Sequence, residues 1–167
     1  DLVLVFRPPF LANFQPLMTL EQRIVVVMSS DHPLAERPTV RLRDCAAYPV
    51  ALPERSIGGR QLLDEVCARR GISFQIAAES NSFELLRSLV TQTNLISFQI
   101  RVGTMPDGNR LGLVARDIDD RDVPRANLVL GQLRARNLPI PAAIFAERLV
   151  RALEAMRNDR RSTAAAR

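Results

Sequence analysis

Two periods of apolar and polar residues alternate along this chain, and each switch between them marks an element. Leu2-Val3-Leu4-Val5-Phe6 is a continuous apolar run with the length and β-branched character of a buried strand. Arg7-Pro8-Pro9 ends it, because proline has no N–H for a ladder and restrains the residue before it. Arg23 to Met28 (RIVVVM) predicts a second strand, broken by Ser29-Ser30-Asp31-His32-Pro33. Val40 to Asp44 predicts one helical turn, Pro49 to Leu52 a short strand, and Pro53 to Gly59 a loop.

Beyond that loop the period becomes helical. Leu62, Leu63, Val66 and Cys67 line one side of a helix over Arg60–Arg70, and Gly71 closes it as the left-handed residue past its end. Phe74–Ala78 predicts a strand, Ser82–Gln92 a helix with Leu85, Leu86, Leu89 and Val90 on one side, and Leu95–Phe98 another strand. Strand–helix–strand–helix–strand at this spacing predicts parallel strands joined by right-handed crossovers. Met105-Pro106-Asp107-Gly108 predicts a turn, and Leu111–Ala115 and Asn127–Leu133 two extended runs. Pro139–Met156 predicts the longest helix, with Ile144, Leu149, Val150 and Leu153 as its apolar stripe. Residues 157–167 are polar and Ala-rich and are expected to be a disordered tail.

These elements divide into two lobes. Residues 28–132 form a self-sufficient α/β lobe, while residues 1–27 and 133–156 form a partial one. Arg23–Met28 and Asn127–Leu133 are the expected crossing segments. The chain opens on Asp1, directly inside a strand, so it is expected to be a fragment whose first lobe lacks its opening portion.

Composition narrows the function classes. The chain is 47% hydrophobic and 25% charged, as ordinary globular proteins are, and no apolar run reaches the roughly 20 residues of a membrane span. A soluble, cytoplasmic protein is expected. The net charge of +5 comes entirely from arginine, with no lysine, and the arginines are interleaved with acids as in Asp119-Asp120-Arg121-Asp122. That is a solvated surface rather than a nucleic-acid footprint. Asp119, Asp120 and Asp122 read as an exposed turn.

Cys45 and Cys67 make no disulfide framework and have no metal-ligand spacing, and one histidine cannot build a typical zinc site. Ser30, Asp31 and His32 are hydrolase letters, but adjacency is not triad geometry, and His32 before a proline reads as structural. No phosphate-binding glycine motif is present; Gly58-Gly59 is a flexible lead into a helix. The chain is not expected to be an enzyme, nor to carry a cofactor or metal.

In parallel α/β sheets, ligands collect beyond the carboxyl ends of the strands. Here that edge carries Arg7, the Glu79-Ser80-Asn81-Ser82 crest and Gln99–Gly103. The helix opening at Ser82 points unpaired N–H groups and its positive end the same way, which suits an anion. Asn81 with Glu84 reads first as a capping box that serves the helix alone. Ser80, Ser82 and Arg7 read equally as ligand contacts or as plain surface.

The ordered set Asp1-Leu2-Val3-Leu4 with Arg7, "RIVVVMSSDHPLAERPTVRLRD", "GGRQLLDEVCARRG", "ESNSFELLRSLV", "LGLVARDIDDRDV" and "LVLGQLRARNLPIPAAIFAERLVRAL" resembles the effector-binding domain of LysR-type transcriptional regulators. The resemblance covers residues 1 to about 156. It implies a periplasmic-binding-protein-like (type 2) α/β fold: two Rossmann-like subdomains joined by two crossing strands, the first incomplete here. It implies a small-molecule effector held between the subdomains, and the anion-suiting edge makes an organic acid the expected class. It also implies a homodimer or homotetramer, and DNA contact only through an N-terminal winged helix-turn-helix absent from this chain. Family effector contacts map to Arg7, to Ser80, Asn81 and Ser82, and to Phe98 and Gln99. Thr93-Asn94 and Phe98-Gln99-Ile100 replace the family's usual glycines and Leu-Pro, which implies an effector of its own. The same fold serves solute-binding proteins of transport systems, the alternative reading, which predicts a secretion leader and a monomer.

Overall fold

The computed structural model describes residues 2–8, 13–104 and 112–165, the last nine of these by backbone alone. The predicted turn at Met105–Gly108 therefore lies outside the described residues, as do Asp1 and Pro9. The chain divides into two compact units: Asp1–Glu21 with Asn127–Arg167, and Gln22–Ala126.

The first unit holds a three-stranded sheet and one long helix. Strands β1 (Leu2–Phe6) and β2 (Phe14–Gln22) flank β9 (Ala126–Leu133), and β1 pairs antiparallel with β9 from Leu2↔Gln132 to Phe6↔Leu128. The hydrophobic pattern gives no warning of β2, because Pro16 interrupts it; as an edge strand it tolerates the missing N–H. Nor is β1 the buried run its composition predicts: Phe6 is buried, but Val3 and Leu4 are exposed. Helix α4 runs from Ile140 to Ala165. It buries Ala146 and Leu153 while Ile144 of the predicted stripe is exposed. Its backbone continues through residues 157–165, predicted to be disordered, because that stretch contains no glycine or proline to stop a helix and is rich in Ala and Arg.

The second unit is a six-stranded sheet in the order β4-β8-β3-β7-β5-β6. Its members are β3 (Ile24–Ser29), β4 (Thr39–Val40), β5 (Val50–Pro53), β6 (Ile76–Ser80), β7 (Ile96–Ile100) and β8 (Leu113–Ile118). Helices α1 (Leu42–Cys45), α2 (Gly58–Arg70) and α3 (Phe83–Gln92) connect them. Strand β5 is parallel to both β6 and β7, as predicted, but β3 is antiparallel to its neighbours β7 and β8. One strand thus runs against the rest, because it enters the sheet from the other unit at the edge where its neighbours end.

Strand β3 is the sheet's spine: Ile24, Val25, Val26, Val27 and Met28 are all buried, as a strand covered on both faces requires. Val25 and Val27 pack with Val90 of α3 and Leu113, with Leu95 and Ala115 at the margin. The division between the units falls at Glu21/Gln22 and Ala126/Asn127, which keeps the whole of β3 in the second unit and all of β9 but Ala126 in the first. Helix α2 ends as predicted: Gly71 adopts φ 62°, and the Ile72 N–H donates to the Cys67 carbonyl at 3.0 Å.

Candidate functional site

The carboxyl ends of β5, β6 and β7 share one edge of the second unit's sheet, and the crest Glu79–Ser82 sits on it. Strand β6 runs through Ser80, so the helix begins one residue later than the capping-box reading requires. Ser82, not Asn81, is the N-cap: its Oγ accepts the Leu85 N–H at 3.2 Å, with extended backbone at φ −94°, ψ 109°. Ser80 Oγ accepts the Ser82 N–H at 3.0 Å. Glu84 therefore stands in the first turn of α3 and reaches forward to Arg87 Nη2 at 2.5 Å, rather than back to a cap. Asn81, relieved of capping, is exposed on the crest.

The hydroxyl oxygens of Ser80 and Ser82 each accept one backbone N–H, and each hydroxyl keeps its proton to donate. The N–H groups of the first turn of α3 have no partner within the helix. The edge thus offers donors, and the chemistry it can perform is to hold acceptor oxygens, above all anionic ones.

Strand alternation separates the two β7 residues named from the family pattern. Gln99 lies on the α3 face, where its Oε1 accepts from Arg87 Nη1 at 3.2 Å. Phe98 faces the other way, only 3% exposed, with its ring 5.3 Å from that of Phe74. Phe98 is thus part of the core, while Gln99 meets Arg87 of α3. Arg7 belongs to the first unit: it follows β1 with φ 56°, a left-handed conformation that non-glycine residues rarely adopt, and its N–H donates to the Asn127 carbonyl at 2.8 Å. Its side chain is exposed.

Two arginines that sequence reasoning passed over organise this edge. Arg60, near the start of α2, has a side chain only 1% exposed. It donates from Nε to Asp64 at 2.8 Å, and from Nη1 to the Pro53 carbonyl at 2.8 Å and to Glu79 at 2.5 Å. It thereby ties the ends of β5 and β6 together beneath the crest. Burial works against its charge, but the bonds from Asp64 and Glu79 outweigh that and raise its pKa, so it stays an argininium. The available signal was its place on the apolar stripe, three residues before Leu63 and seven before Cys67. Arg87 had no such signal.

The aspartate turn is exposed at Asp120 and Arg121, as its composition suggests, but not at Asp122. Asp122 is 4% exposed and takes Arg41 bidentately, the Leu42 N–H at 2.9 Å, and Arg70 at 3.3 Å. His32 is buried as a structural residue, its Nδ1 accepting the Leu34 N–H at 3.1 Å and its ring edge-on to Tyr48 at 4.4 Å. Among the described residues, no three His, Cys, Asp or Glu side chains are grouped to hold a metal ion. No helix among them is long and apolar enough to cross a membrane.

A mixed α/β unit with a donor-lined carboxyl edge, entered and left by strands from a second unit, defines the class of periplasmic-binding-protein-like (type 2) domains. Within it, the chain belongs to the LysR substrate binding domain family, whose pattern it matches over residues 1–154. It is similar to the regulatory domain of CcmR from Synechocystis PCC6803, solved with 2-PG (TM-score 0.73, 22% identity, 92% of this chain and 73% of that one). It is similar also to the effector-binding domain of QuiR, solved with shikimate (TM-score 0.73, 20% identity, 92% of this chain and 72% of that one). At these identities the likeness shows the fold. In sequence it is 34% identical over 64 residues to the HTH-type transcriptional regulator CysB of Burkholderia cenocepacia, a match spanning 38% of this chain and 20% of the regulator's length. As a member of this family the chain is a ligand-sensing regulatory domain.

Proposed function

We propose that this domain senses a small organic acid and controls transcription through a winged helix-turn-helix module attached to the same polypeptide in a cytoplasmic homodimer or homotetramer. The observation that carries the acid reading is the helix start at the crest: Ser82 caps α3, whose first-turn N–H groups are unpaired within the helix, and Ser80 and Ser82 each keep a hydroxyl proton to donate. The related domain solved with shikimate, a carboxylate, supports it. Arg7, just past the end of β1, is proposed as a further contact, since a guanidinium can grip a carboxylate with two parallel hydrogen bonds.

The chain's residues act here by binding, not by catalysis. Effector affinity that differs between two arrangements of the units shifts their populations, and only that difference transmits a signal. Transport solute binding uses the same fold, but the family and the relatives above are regulators. Isothermal titration of the chain with carboxylic acids, shikimate included, against their uncharged amides tests the reading. Acids should bind and amides should not; equal binding of both, or binding of acids unchanged in Arg7→Ala and Ser82→Ala, would sink it.

A further inference from the structure

Strand β6 leads into the crest, and little in the strand itself fixes its register. Among the described residues it is the outer edge of its sheet and pairs with β5 alone. None of its residues is buried, so no apolar face decides which way its side chains alternate. Ala77 and Ala78 are identical neighbours, and a slip of one residue there trades alanine for alanine. The pairing contains such a step. Val50 stands opposite Ile76, but Ala51 stands opposite Ala78, so Ala77 is an extra residue bulged out of the ladder. The backbone bonds record it: the Val50 N–H donates to the Gln75 carbonyl at 2.9 Å, whereas the Glu54 N–H donates to the Ser80 carbonyl at 3.2 Å, one residue further along β6 than an unbroken ladder gives.

Arg60 distinguishes the two registers. Its Nη1 donates to the Pro53 carbonyl at the end of β5 and to the Glu79 carboxylate of β6, and its Nε to Asp64 one turn along α2. Without the bulge, Ala78 would stand opposite Leu52 in Glu79's place, and Glu79 would turn to the other face of the sheet. Arg60 would then lose a carboxylate. Its side chain is 1% exposed, while those of Asp64 and Glu79 are 45% and 42% exposed. Only the arginine bears the cost of burial, and its partners rehydrate if it is removed, so the cluster adds little net stability. What a buried ion contributes in that position is a choice between arrangements.

We infer that Arg60 is a positioning residue: it selects the bulged register of β6 on β5 and so fixes where Ser80 and Ser82 stand at the start of α3. Helix α3 is anchored by Leu86 and Val90, both fully buried, so the unbulged register would leave one more residue in the crest. The consequence for binding rests on the effector-binding reading of the crest; the choice of register does not.

The test is NMR of the chain, through cross-strand NOEs between β5 and β6, with the melting temperature followed alongside. The parent should show Ala51 against Ala78 and one set of resonances over residues 77–82. Arg60→Met, which suits the apolar stripe of α2, should melt no lower than the parent yet show a second set, with Ala51 against Ala77. Glu79→Ala should do the same, while Glu79→Gln, which keeps an oxygen for Arg60, should show one set. Deleting Ala77 from Arg60→Met leaves no extra residue to slip and should restore a single set. The carboxylic acids that bind the parent should bind Arg60→Met more weakly in proportion to the unbulged population, about twofold at equal populations, and the deletion should restore them. A single parent-like register in both Arg60→Met and Glu79→Ala would overturn the inference, whether or not their melting temperatures fall. Should Arg60→Met not fold, Glu79→Ala, changed at a half-exposed position, decides alone. A register that splits while no acid binds even the parent would uphold the role of Arg60 and overturn the effector reading.

Discussion

Asp122 and Arg41, eighty-one residues apart in sequence, form a two-pronged ion pair at 2.7 and 2.8 Å that fastens the loop before β9 to the start of α1. The same carboxylate accepts the Leu42 N–H, so one buried side chain serves a helix start and two arginines at once. Hydrogen bonding from Arg41 holds the Asp122 carboxyl below its usual range. Asp122→Ala should destabilise the chain by about 2–4 kcal/mol, since it leaves the Leu42 N–H without its acceptor and uncouples Arg70. For a carboxylate with a depressed folded pKa, the stabilisation is complete above the unfolded value of 3.8 and drains away as pH falls below it. Urea midpoints at pH 7 and pH 3 should differ more for the parent than for Asp122→Ala.

His32 acts on the same acid flank of the pH profile, but at higher pH. Burial lowers its pKa from 6.5, and its Nδ1 is engaged as an acceptor that protonation would abolish. The unfolded chain takes up a proton at 6.5 that the folded chain refuses, so this site's stability is whole above 6.5 and declines as pH drops below it. As the chain has one histidine, His32→Gln should flatten the dependence of melting temperature on pH between about 7.5 and 5.5.

Both thiols should be inert in the folded state. Burial first, with nearby aspartates second, pushes the Cys45 thiol up to about 12 and the Cys67 thiol up to about 11. At pH 8 a maleimide reagent should label neither until denaturant is added; fast labelling of the native chain at Cys67 would contradict the packing of α2.

Gly131 is required by contact rather than by backbone conformation. A Cβ there would run into the Phe14 ring and stand 2.8 Å from the Gln15 carbonyl, in the central strand of the first unit's sheet. Gly131→Ala should cost about 1–3 kcal/mol. Phe14→Leu in the same chain should recover part of that, but not all, since the Gln15 oxygen is backbone. Chemical denaturation of the single and double variants measures the coupling.

At the two chain crossings a string of charges runs Arg101–Asp117–Arg23–Asp120–Arg125. Asp120 faces Arg125 at 2.9 Å and Arg23 at 3.8 Å, next to one crossing on each side. These groups are partly exposed, so Asp120→Asn should change global stability by less than about 1 kcal/mol. Its effect should appear instead as faster amide exchange around residues 22–24 and 125–127, with the difference shrinking in 1 M salt. Unchanged exchange at both segments would show that the ion string does not hold them.

How far the sequence could be read depended on whether a feature was local. The helical stripe of Leu62, Leu63, Val66 and Cys67 and the glycine stop at Gly71 predicted α2 because period and cap are both written in neighbouring residues. Strand β2 escaped, since its definition is pairing with β9, more than a hundred residues away, and Pro16 hid its pattern. The cap moved from Asn81 to Ser82 because β6 extends to Ser80, and that length is set by its partner β5, not by the crest itself.

By itself, then, the sequence determined most of the helices and strands, β2 and the end of α4 excepted, the α/β class of the fold, and which polar residues lie at strand ends, because periodicity, caps and turn residues act over a few neighbours. Only the tertiary structure decided that β3 runs against its sheet, that Phe98 is core while Gln99 turns toward Arg87, and that Arg60 and Asp122 are buried ions. Those outcomes depend on which distant partner each side chain meets, and the free energy of burying a charge or an amide is fixed by that partner and not by the residue alone.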